Sequence, residues 1–144
     1  MGLEDIYTEL IAEESRNLEH RHHLENPTAV LKGRNPSCGD EITLELEVRD
    51  GVVAAASFTG VGCAISQAST SLMIDLIEGQ PVAKAERLIQ LFLGMIKGEI
   101  TDDAALEELE DAAALKNIAN LPARVKCAVL AWHTLDGALH EPKK

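Results

Sequence analysis

The three cysteines are the residues of this chain that are best suited to chemistry. Cys38 lies in the loop sequence Asn-Pro-Ser-Cys-Gly-Asp, Cys63 follows Gly-Val-Gly, and Cys127 lies early in a predicted helix. The first two stand beside glycines, which allow a backbone to approach a shared centre closely or to adopt a positive φ. Thiolates bind soft metals, and a structural zinc ion takes four ligands. Asp40 is the natural fourth ligand and, as a carboxylate, would make that position easier to exchange.

Two other interpretations of these residues exist. A free cysteine is often a small buried apolar residue, and this is the simpler expectation for Cys127 on an apolar helix. A cysteine could also act as a nucleophile beside a histidine. The five histidines, however, are expected to be exposed, on a solvated helix end or on the last helix: His20, His22, His23, His133 and His140.

Composition excludes several classes of function. The chain has 144 residues, 46% of them hydrophobic, and a formal net charge of −11. This length and this apolar fraction predict a single folded domain over residues 1–144. The negative charge repels phosphate backbones, so nucleic acid is not expected as a partner. Because the sequence has no run of about 20 apolar residues and its start is unlike a signal peptide, we expect a cytoplasmic protein that does not enter the membrane.

The elements that must position the cysteines follow from the periodicity of apolar residues. Strict alternation predicts a half-buried strand at 42–48, and the Asp-Gly pair after it predicts a tight turn into a return strand at 52–59. A short edge strand is expected at 29–31. The register of the hairpin stays open, because a one-residue bulge would reverse whether Val53 or Phe58 faces the core.

Helical spacing predicts the remaining elements. Helices are expected at residues 4–19, 63–78, 82–97, 101–111 and 122–139. Cys63 then stands at a helix N-terminus, and Thr101 begins a short, solvated acidic helix. Together these elements predict an α+β domain with a three-stranded antiparallel sheet and helices packed on one side.

Three stretches of the sequence resemble the NifU/IscU-like iron–sulfur assembly family. They are Asn-Pro-Ser-Cys-Gly-Asp at 35–40, Gly-Val-Gly-Cys-Ala-Ile-Ser-Gln-Ala-Ser-Thr-Ser at 60–71, and Ala-Arg-Val-Lys-Cys-Ala at 123–128. They occur in the family's order and span nearly the whole chain. The resemblance implies the IscU-like (SufE/NifU-like) α+β fold, in which the three cysteines converge at one end and hold zinc or a nascent cluster.

The resemblance also implies roles for individual residues. Scaffold-type members carry a histidine directly before the last cysteine, where this chain has Lys126, so the chain is more similar to the SufU branch. For that branch the resemblance implies a zinc-dependent sulfurtransferase whose partner is a SufS-type cysteine desulfurase and whose sulfur acceptor is Cys38. The implied zinc ligands are Cys38, Asp40, Cys63 and Cys127. Arg124 would orient Asp40 or a released thiolate.

The alternative within the same family is a scaffold. Such a protein would assemble a [2Fe–2S] cluster, or bind iron, on the three cysteines and pass the cluster to downstream acceptor proteins.

Overall fold

The computed structural model describes residue 9 and residues 12–17, 19–35, 39–120 and 122–140. Half of the first predicted helix, residues 4–19, lies outside these ranges, and residues 12–15 are helical. The remaining described residues form a sheet covered by helices around one hydrophobic core.

Three antiparallel strands form the sheet in the order β1–β2–β3, with β1 at Ala29–Asn35, β2 at Asp40–Arg49 and β3 at Val52–Val61. The predicted three-stranded antiparallel sheet is therefore confirmed, and its edge strand β1 is longer than expected. The alternating apolar residues of β2 are fully buried: Ile42, Leu44 and Leu46.

The hairpin between β2 and β3 resolves the register that the sequence leaves open. Asp50 and Gly51 both have positive φ, of 54° and 76°, as the tightest hairpin turns require. Val53 lies before a one-residue bulge in the pairing, and Phe58 lies after it. Because the bulge reverses the alternation between them, both side chains face the core.

The helices are α1 at Ala64–Ile77, α2 at Val82–Ile96, α3 at Asp103–Leu106 and α4 at Pro122–His140, with a 3₁₀ segment at Glu107–Asn120 between α3 and α4. The predictions for α1, α2 and α4 are confirmed to within a residue or two. α4 packs on β1 and β2, and α1 packs on β3. The contact of α4 with β1 is close, since a Cβ on Gly33 would lie 2.0 Å from Thr134 Oγ1.

The acidic segment differs from its prediction. Its helix begins at Asp103 rather than at Thr101, because the Asp102 carboxylate accepts a hydrogen bond from a first-turn amide. After one turn the chain continues as the 3₁₀ segment, which is interrupted at Glu110, where φ is +49°. The buried residues of this stretch recur every third position, which is the period of a 3₁₀ helix: Leu106, Leu109, Ala112 and Leu115.

An ion-pair cluster joins the 3₁₀ segment to α2. Glu108 accepts hydrogen bonds from Lys84 Nζ at 2.7 Å and from both Nε and Nη2 of Arg87, the latter at 2.7 Å. The hydrogen bonds from Arg87 and then from Lys84 lower the pKa of Glu108 from its usual 4.5 to about 2. The carboxylate of Glu108 therefore stays charged far into the acid range.

Glu108→Gln should lower the melting temperature at neutral pH by about 1–3 °C. A carboxylate whose pKa is lowered by folding stabilises the fold above its unfolded pKa, and that contribution is lost as the pH falls through the folded pKa. The difference between wild type and variant should thus be complete above about pH 5, shrink as the pH falls, and vanish only below about pH 2. Thermal unfolding followed by circular dichroism across this range measures it. Glu107→Gln, an adjacent exposed charge, is the control, and an equal loss in both variants would contradict the prediction.

Candidate metal centre

Three of the four predicted ligand residues lie together at one end of the sheet. The ligand atoms of Asp40, Cys63 and Cys127 are all within 4.8 Å of one another. A tetrahedral zinc ion with bonds of 2.0–2.3 Å would hold its ligand atoms about 3.3–3.8 Å apart, so these atoms need to close by only about 1 Å. Cys38, the fourth predicted ligand, lies outside the described residues. A donor set of two thiols and one carboxylate at this spacing fits a tetrahedral metal ion.

Cys63 occupies the N-cap position of α1. Its backbone is extended, with φ −70° and ψ 170°, and its Sγ accepts a hydrogen bond from the Ser66 amide at 3.5 Å. N-cap side chains turn back toward the amides of the first helical turn, which directs this sulfur along the start of the helix. The prediction that Cys63 stands at a helix N-terminus is confirmed.

Asp40, the first residue of β2, connects this strand to the start of α1. Its side chain is buried, with the residue only 1% exposed, and its Oδ1 accepts a hydrogen bond from the Cys63 amide at 2.9 Å. Its Oδ2 lies 4.0 Å from Cys63 Sγ. A buried carboxylate requires donors or a cation to compensate the loss of water. One oxygen of Asp40 therefore braces the backbone, while the other lies beside the sulfur that would share a metal with it.

Two glycines account for the close approach of these segments. A Cβ on Gly62 would lie 3.0 Å from both Asp40 Oδ1 and Ser66 Oγ, so a side chain there would displace these groups by a few tenths of an ångström. Gly39 has a φ of +73°, and its amide donates to the Asn35 carbonyl at 3.0 Å. This left-handed residue closes the connection between β1 and β2. The sequence predicts that these glycines allow close backbone approach or a positive φ, and the structure shows the first at Gly62 and the second at Gly39.

Cys127 contributes the third ligand atom from α4. The residue is 2% exposed and belongs to the apolar core. The expectation of a buried apolar cysteine is thus correct for its burial, yet its sulfur also lies within reach of Asp40 and Cys63. Arg124 and Lys126 on the same helix are exposed. Within the described part of the chain Arg124 forms no hydrogen bond or ion pair, so its role toward Asp40 stays a prediction.

The histidines take no part in this cluster, as far as the chain is described. Four of them are exposed as predicted: His22, His23, His133 and His140. The prediction for His20 is wrong, because this residue is 4% exposed and its Nε2 lies 2.6 Å from Asp75 Oδ1 on α1. Its carbonyl also accepts a hydrogen bond from the Phe58 amide at the free edge of β3. His20 therefore joins the N-terminal segment to both α1 and the sheet.

None of the described helices combines the length and hydropathy that a membrane crossing requires.

Known proteins resemble the chain over most of its length. The family model described as NifU-like N terminal domain matches residues 6–92. The iron-sulfur cluster assembly scaffold protein IscU of Thermotoga maritima is 45% identical over 134 residues, which are 93% of this chain and 92% of that protein. The zinc-dependent sulfurtransferase SufU of Bacillus subtilis is 35% identical over 135 residues, 94% of this chain and 90% of that protein.

A solved structure agrees with the fold. The crystal structure of FiSufU, a SUF-system protein of Fervidobacterium islandicum AW-1, matches with a TM-score of 0.86 and 36% identity, over 96% of this chain and 99% of that one. The relatives thus carry both the IscU and the SufU names, while sharing one domain type. This chain therefore belongs to the family of NifU-like N-terminal domains, as its sequence and its three-stranded sheet both indicate.

Proposed function

We propose that this chain works in iron–sulfur cluster assembly as a zinc-dependent sulfur acceptor, which takes persulfide sulfur from a SufS-type cysteine desulfurase. The observation that carries the proposal is the mixed donor set, in which the buried Asp40 carboxylate lies among two cysteine sulfurs. A carboxylate binds a thiophilic metal less tightly than a further thiolate would, which favours a site that exchanges a ligand. The name of the Bacillus subtilis relative supports this reading.

Cys38 is the proposed fourth ligand and the sulfur acceptor. It precedes Asp40 by two residues, so covalent geometry keeps the two Cα atoms within about 7.6 Å of each other. The other two cysteines are less suited to meet a partner, since Cys127 is buried and Cys63 Sγ caps α1 by accepting a hydrogen bond from the Ser66 amide. Bound zinc would hold its cysteine ligands in the thiolate form. The exposed Arg124 would orient Asp40 or the freed thiolate of Cys38.

The proposed transfer step balances without any added oxidant or reductant. The Cys38 thiolate attacks the terminal sulfur of a persulfide on the desulfurase. A new S–S bond forms on Cys38 while the S–S bond of the desulfurase breaks, and the electron pair leaves with the thiolate of the desulfurase cysteine. Downstream cluster-assembly or acceptor proteins would then receive the sulfur. Because this chemistry needs reduced thiols, we place it in the cytoplasm.

A scaffold role is the second candidate, favoured by the 45% identity to a relative named as a scaffold protein. In that role a [2Fe–2S] cluster would be the cargo, held by Cys38, Cys63 and Cys127. The residue before the last cysteine argues against the scaffold role. Scaffold-type members carry a histidine there, which is a candidate fourth cluster ligand, and this chain has Lys126 instead. A protonated lysine has no lone pair to offer a metal.

The two candidates separate in one anaerobic experiment. Purified chain is analysed for metal and incubated with a SufS-type desulfurase and cysteine, with and without ferrous iron. We expect about one zinc ion per chain and persulfide sulfur on the chain in the absence of iron. A chain without zinc that instead forms a cluster with iron, and passes that cluster to an apo-ferredoxin, would contradict the sulfurtransferase proposal and support the scaffold.

A further inference from the structure

Some buried polar side-chain atoms lack a hydrogen-bond partner, and one of them lies near the metal centre. Within the described chain such side-chain atoms are Ser57 Oγ, Ser66 Oγ and Gln67 Oε1. Ser66 and Gln67 follow Cys63 by three and four positions, which are the neighbouring positions on one face of a helix. These two residues are 1% and 6% exposed. Two of the three unpaired atoms therefore belong to the first turn of α1, on the side of Cys63.

The hydroxyl of Ser66 lies close to two of the clustered ligand residues. Ser66 Oγ and Asp40 Oδ1 each lie 3.0 Å from the point where a Cβ on Gly62 would stand, so they are no farther apart than twice that distance. The Ser66 amide is 3.5 Å from Cys63 Sγ. The hydroxyl is hydrogen-bonded to neither of these ligand residues.

An unpaired buried hydroxyl is unfavourable, since it gives up its hydrogen bonds to water on folding. Alanine would fill the same position in the helix without that loss and with a better helix propensity. The serine is therefore best explained by a partner that arrives when the centre is filled. Cysteine ligands of a bound metal are thiolates, and a charged acceptor forms a strong hydrogen bond with a hydroxyl donor.

We propose that the Ser66 hydroxyl donates a hydrogen bond to a thiolate ligand of the metal-bound centre and thereby acts as a positioning residue. This inference rests on the metal centre of the proposed function. A hydrogen bond to a ligand sulfur withdraws electron density from it, which weakens it both as a nucleophile and as a donor to the metal. Gln67 Oε1 cannot play this part, because a carbonyl oxygen only accepts.

Cobalt(II) in place of zinc is the probe, because its thiolate-to-metal charge-transfer bands report on the ligand sulfurs. In Ser66→Ala the band should move to lower energy, since the sulfur loses its hydrogen bond and becomes a better donor. Ser66→Thr retains the hydroxyl and should restore the wild-type band. Ser57→Ala is the matched control: Ser57 is equally buried and equally unpaired, but it lies in the middle of β3 opposite Glu45.

Thermal unfolding gives a second readout that does not depend on the band. Without metal, Ser66→Ala and Ser57→Ala should each melt about 1–3 °C above wild type, because each removes an unpaired buried hydroxyl. With cobalt bound, the gain should persist for Ser57→Ala and disappear for Ser66→Ala.

The outcomes separate this inference from the proposed function. A wild-type chain that shows no thiolate–cobalt band would overturn both. A normal wild-type band that Ser66→Ala leaves unchanged, or that Ser57→Ala shifts equally, would overturn the role of Ser66 and leave the metal centre standing.

Discussion

Replacing Asp40 by asparagine should lower the affinity of the chain for zinc by at least about 100-fold while the fold is retained. In wild type, Asp40 Oδ1 accepts a hydrogen bond from the Cys63 amide at 2.9 Å. Asparagine keeps a carbonyl oxygen at this position, so the hydrogen bond between β2 and α1 survives. It replaces the oxygen that lies 4.0 Å from Cys63 Sγ by an amide nitrogen, which is not a ligand for zinc. The variant therefore removes one anionic ligand and keeps the hydrogen bond between β2 and α1.

Competition with a chelating dye measures this affinity, and circular dichroism of the metal-free chain tests the fold. We expect metal-free Asp40→Asn to keep the circular dichroism spectrum of wild type, because the hydrogen bond from the Cys63 amide survives. Glu41→Gln is the matched control, since it removes the same charge from the adjacent residue of β2, which lies outside the ligand cluster. If Asp40→Asn binds zinc as tightly as Glu41→Gln, Asp40 is not a ligand.

Alanine in place of Cys38 should reduce the sulfur accepted from a SufS-type desulfurase by at least about 100-fold, since the proposed attacking thiolate is removed. Cys38→Ala also removes the proposed fourth zinc ligand, but it leaves the described pair of sulfurs in place. Cys63→Ala and Cys127→Ala each remove one sulfur of that pair, so they should reduce metal content while the proposed acceptor thiol remains. Mass spectrometry of the intact chain after incubation with desulfurase and cysteine detects the added sulfur atom.

Cys38→Ser serves as the companion variant, because it keeps the size and polarity of the loop residue while removing the thiol. Both Cys38 variants should lose the added sulfur, and both should retain the circular dichroism spectrum of wild type. Wild-type labelling of either variant would show that the accepting sulfur belongs to Cys63 or Cys127 and would exclude Cys38 as the acceptor.

The framework of the site could be predicted from the sequence because its determinants are local. The alternation of Ile42, Leu44 and Leu46 needs only neighbouring residues to indicate a strand, and the Asp-Gly pair specifies a tight turn. Glycines beside Cys38 and Cys63 likewise indicated where the backbone must turn or approach closely. The clustering of Asp40, Cys63 and Cys127 was then expected from motifs whose order matches a known family.

The features that could not be predicted depend on partners distant in sequence or on a helical period other than that of the α-helix. His20 resembles a solvated histidine in its polar run, and its burial follows from Asp75, 55 residues away. The three-residue spacing that runs from Leu106 to Leu115 is typical of a 3₁₀ helix and does not match the 3.6-residue period of an α-helix. The bulge that brings both Val53 and Phe58 into the core could not be chosen from local sequence, because each register taken by itself places one of these two side chains on the core face.

The clustered ligand residues come from parts of the chain that are made at different times. Asp40 and Cys63 are 23 residues apart, whereas Cys127 is added only after α1, α2 and the 3₁₀ segment have been synthesised. A nascent chain that ends before α4 therefore holds an incomplete donor set, and tight metal capture must follow the docking of α4 on β1. A metal bound here would fasten the last helix to the first hairpin and, by mass action, draw chains with an undocked α4 into the finished fold.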